Sequence, residues 1–347
     1  MPTLIDPLLA LAGAAALAVL VGLLFWPRRG LVAQRRRTRR QSARISREDA
    51  LKHIHTLEMS GRRPTVQSIA GALQLGLNEA AALIGAMEAD GLLAYAGDTP
   101  RLTPTGRAAA LHIIRAHRLW EHYLAEETGY GAADWHALAE EREHGLSAAE
   151  LDELAARLGH PVFDPHGDPI PPTGDGLASP VGEPLAALPP DTPARIVHLE
   201  DEPEAVYVQL VAEGLAPGMV VRVTGATAER VRFWANGDEH VLAPLVAANV
   251  FVRPLPPQEQ PAPSDGLSLA ALRLGQSAEV VALSPALRGR ERRRLLDLGL
   301  LPGTRVTAEL RSPAGDPTAY RIRGAVVALR AEQAKQVRVM REVLTDN

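Results

Sequence analysis

Hydrophobic and polar positions fall into four regimes along the chain. Residues 8–26 form a run of 19 residues without a charge or a strong polar group, long enough to cross a bilayer as one helix with Trp26 at the interface. From Glu48 the pattern becomes amphipathic: residues 48–59, 65–75 and 78–90 read as three helices, with Ser46 ahead of the first, Thr65 and Asn78 as N-caps, a tight Gly76-Leu77 turn, and Gly91 as the stop. Alternation at 92–95 and 101–103, around Gly97-Asp98, predicts the two short strands of a wing. Helical spacing then resumes over 108–172, where Leu111, Ile114, Leu119 and Leu124 would face a second copy of the chain or pack within the subunit.

After residue 184 the chain consists of short alternating strands, and it repeats itself. PLAALPPDTPARIVHL at 184–199 matches SLAALRLGQSAEVVAL at 268–283, and QLVAEGLAPGMVVRV at 209–223 matches RLLDLGLLPGTRVTA at 294–308. The shared GLxPGxxV places Gly214 and Gly299, Pro217 and Pro302, and Gly218 and Gly303 at one offset of 85. Each copy predicts a strand, a short helix, a Gly-Pro-Gly turn and alternating strands such as 230–234 and 319–323, hence one small SH3-like barrel per copy with a Pro-rich linker between.

Charge refines this division. The net charge of −4 over 347 residues conceals nine Arg and one Asp in residues 1–47, a net of +8 that leaves −12 on the remainder. The arginines from Arg28 to Arg47 directly follow the apolar run, and the residues before it carry no Lys or Arg. That order predicts an uncleaved anchor with everything downstream in the cytoplasm and the arginines against anionic headgroups; the alternative is a basic arm for nucleic acid. Residues 48–107 carry five Lys/Arg against seven Asp/Glu, and the third helix, NEAAALIGAMEAD, has no Arg, Lys, Gln, Ser or Thr for base edges or phosphates. This chemistry disfavours tight DNA binding. The absence of Cys excludes disulfides and Cys zinc sites.

The candidate chemistry lies in 108–172. In HRLWE, His117 and Glu121 are four apart; in HALAEEREH, His136 and Glu140, then Glu140 and His144, are four apart, with Glu143 three beyond Glu140. Each set shares a helix face. Two such faces would cage a divalent cation with nitrogen and oxygen donors, suited to Mn(II) or Fe(II); the plainer alternative is a solvated face of weak ion pairs. The stretch HPVFDPHGDPIPPTGDG adds His160, Asp164, His166 and Asp168, which its five Pro and three Gly mark as a solvated turn outside the site. There is no nucleophile–base pair, phosphate loop or Gly-rich cofactor motif, so an enzyme is not expected.

LTPTGRAAALHIIRAHRLWEHYLAEETG, ADWHALAEEREHGLS and LGHPVFDPHGDPIP, in this order over 102–171, resemble the diphtheria-toxin-repressor type of metal-dependent transcriptional regulator. That resemblance implies a winged helix-turn-helix, a helical metal-binding and dimerisation domain, and an SH3-like third domain. It implies a primary site of Asp49, Glu140, Glu143 and His144, a neighbouring site of His117, Glu121 and His136, and manganese over iron because Glu140 stands where iron-sensing members tend to have Cys. Thr65, Gln67, Asn78 and Arg101 would be the DNA contacts. Lys52 departs from the pattern where manganese-type members carry an acid, and Val206 falls where a third-domain ligand is expected, with Glu202 and Glu204 nearby.

The repeats resemble the FeoA-type SH3-like domain, the second more closely through LRGRERRRLLDLGLLPGTRV. In it Arg288, Arg290, Arg292, Arg293 and Arg294 would meet an acidic partner or a phosphate, or form a solvated helix face. The expectation is a multidomain α+β protein: anchor 1–27, basic linker 28–47, winged helix-turn-helix 48–107, metal-binding and dimerisation domain 108–172, linker 173–183, SH3-like barrels 184–255 and 267–343, and linker 256–266. The expected function is a membrane-anchored, dimeric, metal-dependent regulator. The other reading is a membrane-tethered accessory protein of a ferrous-iron or manganese transporter, whose helix-turn-helix no longer reads DNA.

Overall fold

The computed structural model describes residues 31–172, 182–256 and 267–341, without the side chains of 31–41 and 341. The expected anchor at 8–26 and most of the linkers 173–183 and 256–266 lie outside these residues. Among the described residues no single helix is long and apolar enough to cross a membrane; only a bent pair of helices, 108° apart, passes by length and composition. The chain divides into two compact units, one through Ile113 and one from Ile114.

The first unit contains α1 (Leu31–Met59), α2 (Val66–Ala72), α3 (Leu77–Ala89), β1 (Leu93–Ala96) and β2 (Thr99–Leu102). Helix α1 corrects the expected linker, because the basic segment from residue 31 is helical and continuous with the first amphipathic helix. Arg and Gln are good helix formers, so the propensity of this run outweighs the capping preference of Ser46. Thr65 caps α2 as expected, accepting from Ser68 N at 3.0 Å. Asn78 does not cap α3: the N-cap is Gly76, whose N–H donates to Glu79 Oε2 at 3.1 Å, and the left-handed residue in the turn is Gln74. The bent pair is α2 and α3, which bury Ile69, Ala70, Ala80, Ile84 and Met87 against Ala50, Leu51 and Ile54 of α1. The hairpin pairs Leu93 with Leu102, and Glu58 ties it to α1 by accepting from Leu102 N at 3.1 Å.

The second unit opens on α4 (Pro104–Glu127), which begins before the unit boundary, followed by α5 (Trp135–Glu143) and α6 (Ala148–Arg157). Leu111, Ile114, Leu119 and Leu124 are all buried within the subunit, with Leu119 against Leu151 and Leu154, and Leu124 against Trp135 and Ala139. Of the two roles open to them from the sequence, these four residues take packing within the subunit. Two antiparallel six-stranded sheets follow. The first contains β3 (Glu183–Pro184), β4 (Pro193–Leu199), β5 (Val220–Ala226), β6 (Val231–Ala235), β7 (Asp238–Leu242) and β8 (Val250–Pro254), in the order β3-β8-β4-β5-β6-β7. The second contains β9 (Leu267–Ser268), β10 (Ser277–Leu283), β11 (Arg305–Arg311), β12 (Thr318–Ile322), β13 (Ala325–Leu329) and β14 (Val337–Arg341), in the same order shifted by six strands.

The register irregularities repeat as well, between Ile196 and His198 in the first sheet and Val280 and Ala282 in the second. Each sheet packs its alternate residues on a core of its own, such as Ile196, Val221 and Phe233 or Val280, Val306 and Tyr320. A short helix closes each: α7 (Glu204–Ala212) in the first and α9 (Gly289–Asp297) in the second, with α8 (Pro244–Ala247) and α10 (Ala331–Lys335) near their ends. The duplication read from GLxPGxxV is thus a duplication of topology.

Candidate metal centre

Helix α4 presents His117 and Glu121 one turn apart, and both are buried. His117 lies between two carboxylates: Nδ1 is 2.5 Å from Glu143 Oε2 on α5, and Nε2 is 2.9 Å from Glu121 Oε1. Donation of Nδ1–H to Glu143 makes Nε2, which faces Glu121, the nitrogen that would ligate a cation in place of its proton, the second-sphere arrangement that orients a ligating histidine. His136 of α5 closes on the same point, with Nδ1 3.2 Å from His117 Nε2 and 3.3 Å from Glu121 Oε1.

The fourth member is Asp201, in the loop between β4 and α7, whose Oδ2 is 2.8 Å from His136 Nδ1. One donor atom from each of His117, Glu121, His136 and Asp201 lies within 4.8 Å of the others. The sequence left the third-domain ligands out of register, with Glu202 and Glu204 near the expected place and Val206 where an amide or acidic ligand is expected. In the fold Glu202 is largely exposed, 3.7 Å from His136 Nε2, Glu204 starts α7, and Val206 packs on the sheet core. The offset of 84 that aligns residue 199 with 283 puts Pro285 opposite Asp201, so the carboxylate is peculiar to the first copy.

The 163–169 loop corrects the expectation of a solvated turn. Asp164 and His166 are buried, and Glu121, Asp164 and His166 form a second group of donors within 4.8 Å. Asp164 Oδ1 accepts from the backbone N–H groups of His166, Gly167 and Asp168, each at 2.9 Å, and the His166 carbonyl accepts from Leu199 N at 2.9 Å. A Cβ on Gly167, at φ +97°, would lie 2.0 Å from Val197 O, so only glycine allows the loop to seat on β4. His166 is 1% exposed, and neither ring nitrogen makes a hydrogen bond; Nδ1 faces Glu121 Oε2 at 3.5 Å and Asp201 Oδ2 at 3.7 Å. A buried imidazole facing two carboxylates with its nitrogens unbonded fits a cation between them.

The remaining predicted residues divide. Glu143 is buried and His144 half-buried, with His144 Nε2 3.7 Å from Glu143 Oε1 at the end of α5. Glu140 is exposed, with Oε1 3.6 Å from His136 Nε2. Asp49 and Lys52 lie on α1 in the first unit, both half-buried. Thr65, Gln67, Asn78 and Arg101 are exposed in that unit, Arg101 4.0 Å from Glu58. Arg142 and Arg157 stack over the rings of Trp120 and Tyr123, and the guanidinium facing the donors is that of Arg118, 3.7 Å from Asp164 Oδ2 and 3.3 Å from Asp168 Oδ1.

Electrostatics identify a site organised around positive charge. Burial opposes ionisation of Glu121, but His117 and His166 outweigh it and hold its carboxyl well below the usual range. Burial disfavours the charged form of His136 and of His166, yet hydrogen bonds accepted by Asp201, Glu121 and Glu140 push His136 up to about 12, and Glu121, Asp164 and Asp201 push His166 up to about 9. Without a metal the imidazolium protons balance the carboxylates. Oxygen and imidazole donors without thiolate suit a divalent cation such as Mn(II) or Fe(II).

The fold and this donor set define a helical sensor-type domain joined to small sheet domains, and the comparisons with known proteins agree. Residues 103–172 match the iron dependent repressor metal binding and dimerisation domain, and residues 267–341 match the FeoA domain. The iron-dependent repressor IdeR of Mycobacterium leprae is 31% identical over 208 residues, covering 56% of this chain and 90% of the relative. A solved manganese-dependent transcriptional repressor in complex with manganese superposes with a TM-score of 0.55 at 27% identity, over 60% of this chain and all of that one. A probable metal transport system membrane protein of Chlamydia trachomatis is 45% identical over 71 residues, 20% of this chain and 16% of the relative. The chain belongs to the iron-dependent (diphtheria-toxin-type) repressor family, a family of transcriptional regulators and not of enzymes.

Proposed function

We propose that the chain is a divalent-metal-responsive regulator, binding Mn(II) or Fe(II), that works as a homodimer tethered to the cytoplasmic membrane with its body in the cytoplasm. The observation that carries this reading is Glu121, a buried carboxylate shared by two donor groups drawn from α4, α5, the 163–169 loop and the first sheet domain. His117, Glu121, His136 and Asp201 would hold one cation, with Asp164 and His166 on the far side of Glu121. Asp49, Glu140, Glu143 and His144 would form the primary site that the family pattern implies.

A bound divalent cation supplies the charge that the imidazolium protons otherwise provide. The chain's residues do the rest: Glu143 fixes the tautomer of His117, and Asp201 ties the first sheet domain to α5. Binding energy released only in this gathered arrangement shifts the protein toward it. Helices α1–α3 with the β1–β2 hairpin would form the winged helix-turn-helix, with α3 as the DNA-facing helix. Thr65, Gln67, Asn78 and Arg101 are its candidate contacts.

A second reading has its own support. The sequence of α3 has no Arg, Lys, Gln, Ser or Thr, and Glu79 is engaged at its N-terminus; the Chlamydia relative is described as a probable metal transport system membrane protein. On that reading the chain regulates a metal transporter and no longer binds DNA. The deciding experiment exposes the full chain to genomic DNA fragments at physiological salt, with Mn(II) and with chelator. Retention of particular fragments only with metal supports the regulator; equal or absent retention under both conditions favours the accessory protein.

A further inference from the structure

The two sheet domains meet the same helix at successive turns. His117, Glu121 and Ala125 lie four residues apart on one stripe of α4. The first domain reaches this stripe through Asp201, beside His117 and Glu121. The second domain reaches its end. Arg288 Nη1 lies 3.2 Å from Glu126 Oε1, the Gly289 N–H donates to Glu126 Oε2 at 3.4 Å, and Arg293 Nη2 donates to the Glu126 carbonyl at 2.8 Å. Arg293 also faces Glu127 at 3.7 Å.

These contacts satisfy and neutralise the carbonyl end of a helix, where cationic donors are favoured. Gly289 is at φ +53°, and a Cβ there would lie 2.6 Å from the Ala125 carbonyl. The approach is therefore closer than any side chain permits. Arg288 extends further, with Nη2 3.5 Å from the carbonyl of Pro165, the residue before His166.

The duplication shows that this contact is specific to the second copy. An offset of 85 aligns α7 with α9, so Arg288, Gly289 and Arg293 correspond to Pro203, Glu204 and Val208. The same corner of the repeat thus carries a cage carboxylate in the first copy and a cationic grip in the second. It also absorbs part of the basic run expected to meet an outside acidic partner: Arg288 and Arg293 are engaged within the chain, whereas Arg290 and Arg294 are exposed.

We propose that the second sheet domain is a latch on the metal centre: by holding the last turn of α4 and the Pro165 carbonyl, it keeps Glu121 and His166 in the cage arrangement, and metal binding in turn tightens its docking. This rests on the metal-centre reading above. Coupling of this kind is reciprocal, so Arg288 and Arg293 are positioning residues with two separate readouts.

The test uses the full chain, titrated calorimetrically with Mn(II), in wild type, Arg288→Ala/Arg293→Ala, and the exposed control Arg290→Ala. Loss of outer-sphere support costs a metal site about 10-fold or more in affinity; that loss is expected in the double variant and not in the control. Lys at both positions should recover most of it. Hydrogen exchange supplies the second readout: Mn(II) should slow exchange at the end of α4 and the start of α9 in wild type but not in the double variant, while β10, β11 and β14 stay equally protected in both. Unchanged Mn(II) affinity in the double variant, or metal-independent exchange at α9 in a metal-binding wild type, overturns the latch and leaves the metal centre standing. A wild type that binds neither Mn(II) nor Fe(II) overturns both.

Discussion

At the scale of single residues, the centre is a competition between protons and a cation for the same carboxylates. His136, pushed up to about 12, and His166, pushed up to about 9, hold protons in the metal-free protein because Asp201, Glu121 and their neighbours outweigh burial. A raised histidine stabilises the folded state fully below its unfolded value of 6.5, and that contribution is lost as pH rises through the folded value, near 9 for His166. Metal ligation needs neutral imidazole. Metal-free stability should therefore fall between these values while Mn(II) affinity rises, so the gain in melting temperature on adding Mn(II) should be larger at the upper end. A gain that shrinks with pH would contradict this. His117, Glu121 and His136 were legible because two of them share an i, i+4 face and the third opens a second such stripe. His166 was misread because proline and glycine content marks a turn without telling whether the turn is buried, and Asp201 was missed because His117, Glu121 and His136 precede it by 65 residues or more.

At the scale of elements, the 163–169 loop positions the site. Its seat on β4 depends on Gly167, whose missing Cβ leaves room for the Val197 carbonyl. Gly167→Ala should destabilise the chain by about 1–3 kcal/mol and weaken Mn(II) binding, both measurable by thermal unfolding with and without metal; an unchanged melting temperature would show that the loop yields freely. Helix boundaries were legible to within a few residues where a cap agreed with the hydrophobic pattern, as at Thr65. They were missed where another group captured the cap. Glu79 reaches back to Gly76 and makes it the N-cap in place of Asn78, and the arginine-rich segment before Ser46 continues α1. Along the α5 stripe the exposure differs from residue to residue, Glu140 exposed, Glu143 buried and His144 half-buried, a difference that spacing alone does not carry.

At the scale of the molecule, the repeat was fully legible, and the two sheets share strand order and bulge positions. Their division of labour was not, because it depends on which loop meets α4. The proposed anchor at 8–26 predicts that the full chain sediments with membranes and that a reporter fused after residue 347 is active in the cytoplasm; recovery of the intact chain in the soluble fraction would contradict it. The account's central claim is that Glu121 joins helical and sheet-domain donors around a divalent cation. The direct measurement is Mn(II) titration of the full-length wild type beside Glu121→Ala, with circular dichroism to verify that both are folded. The account predicts that the variant loses at least one Mn(II) per subunit; the same stoichiometry and affinity in both proteins would contradict it.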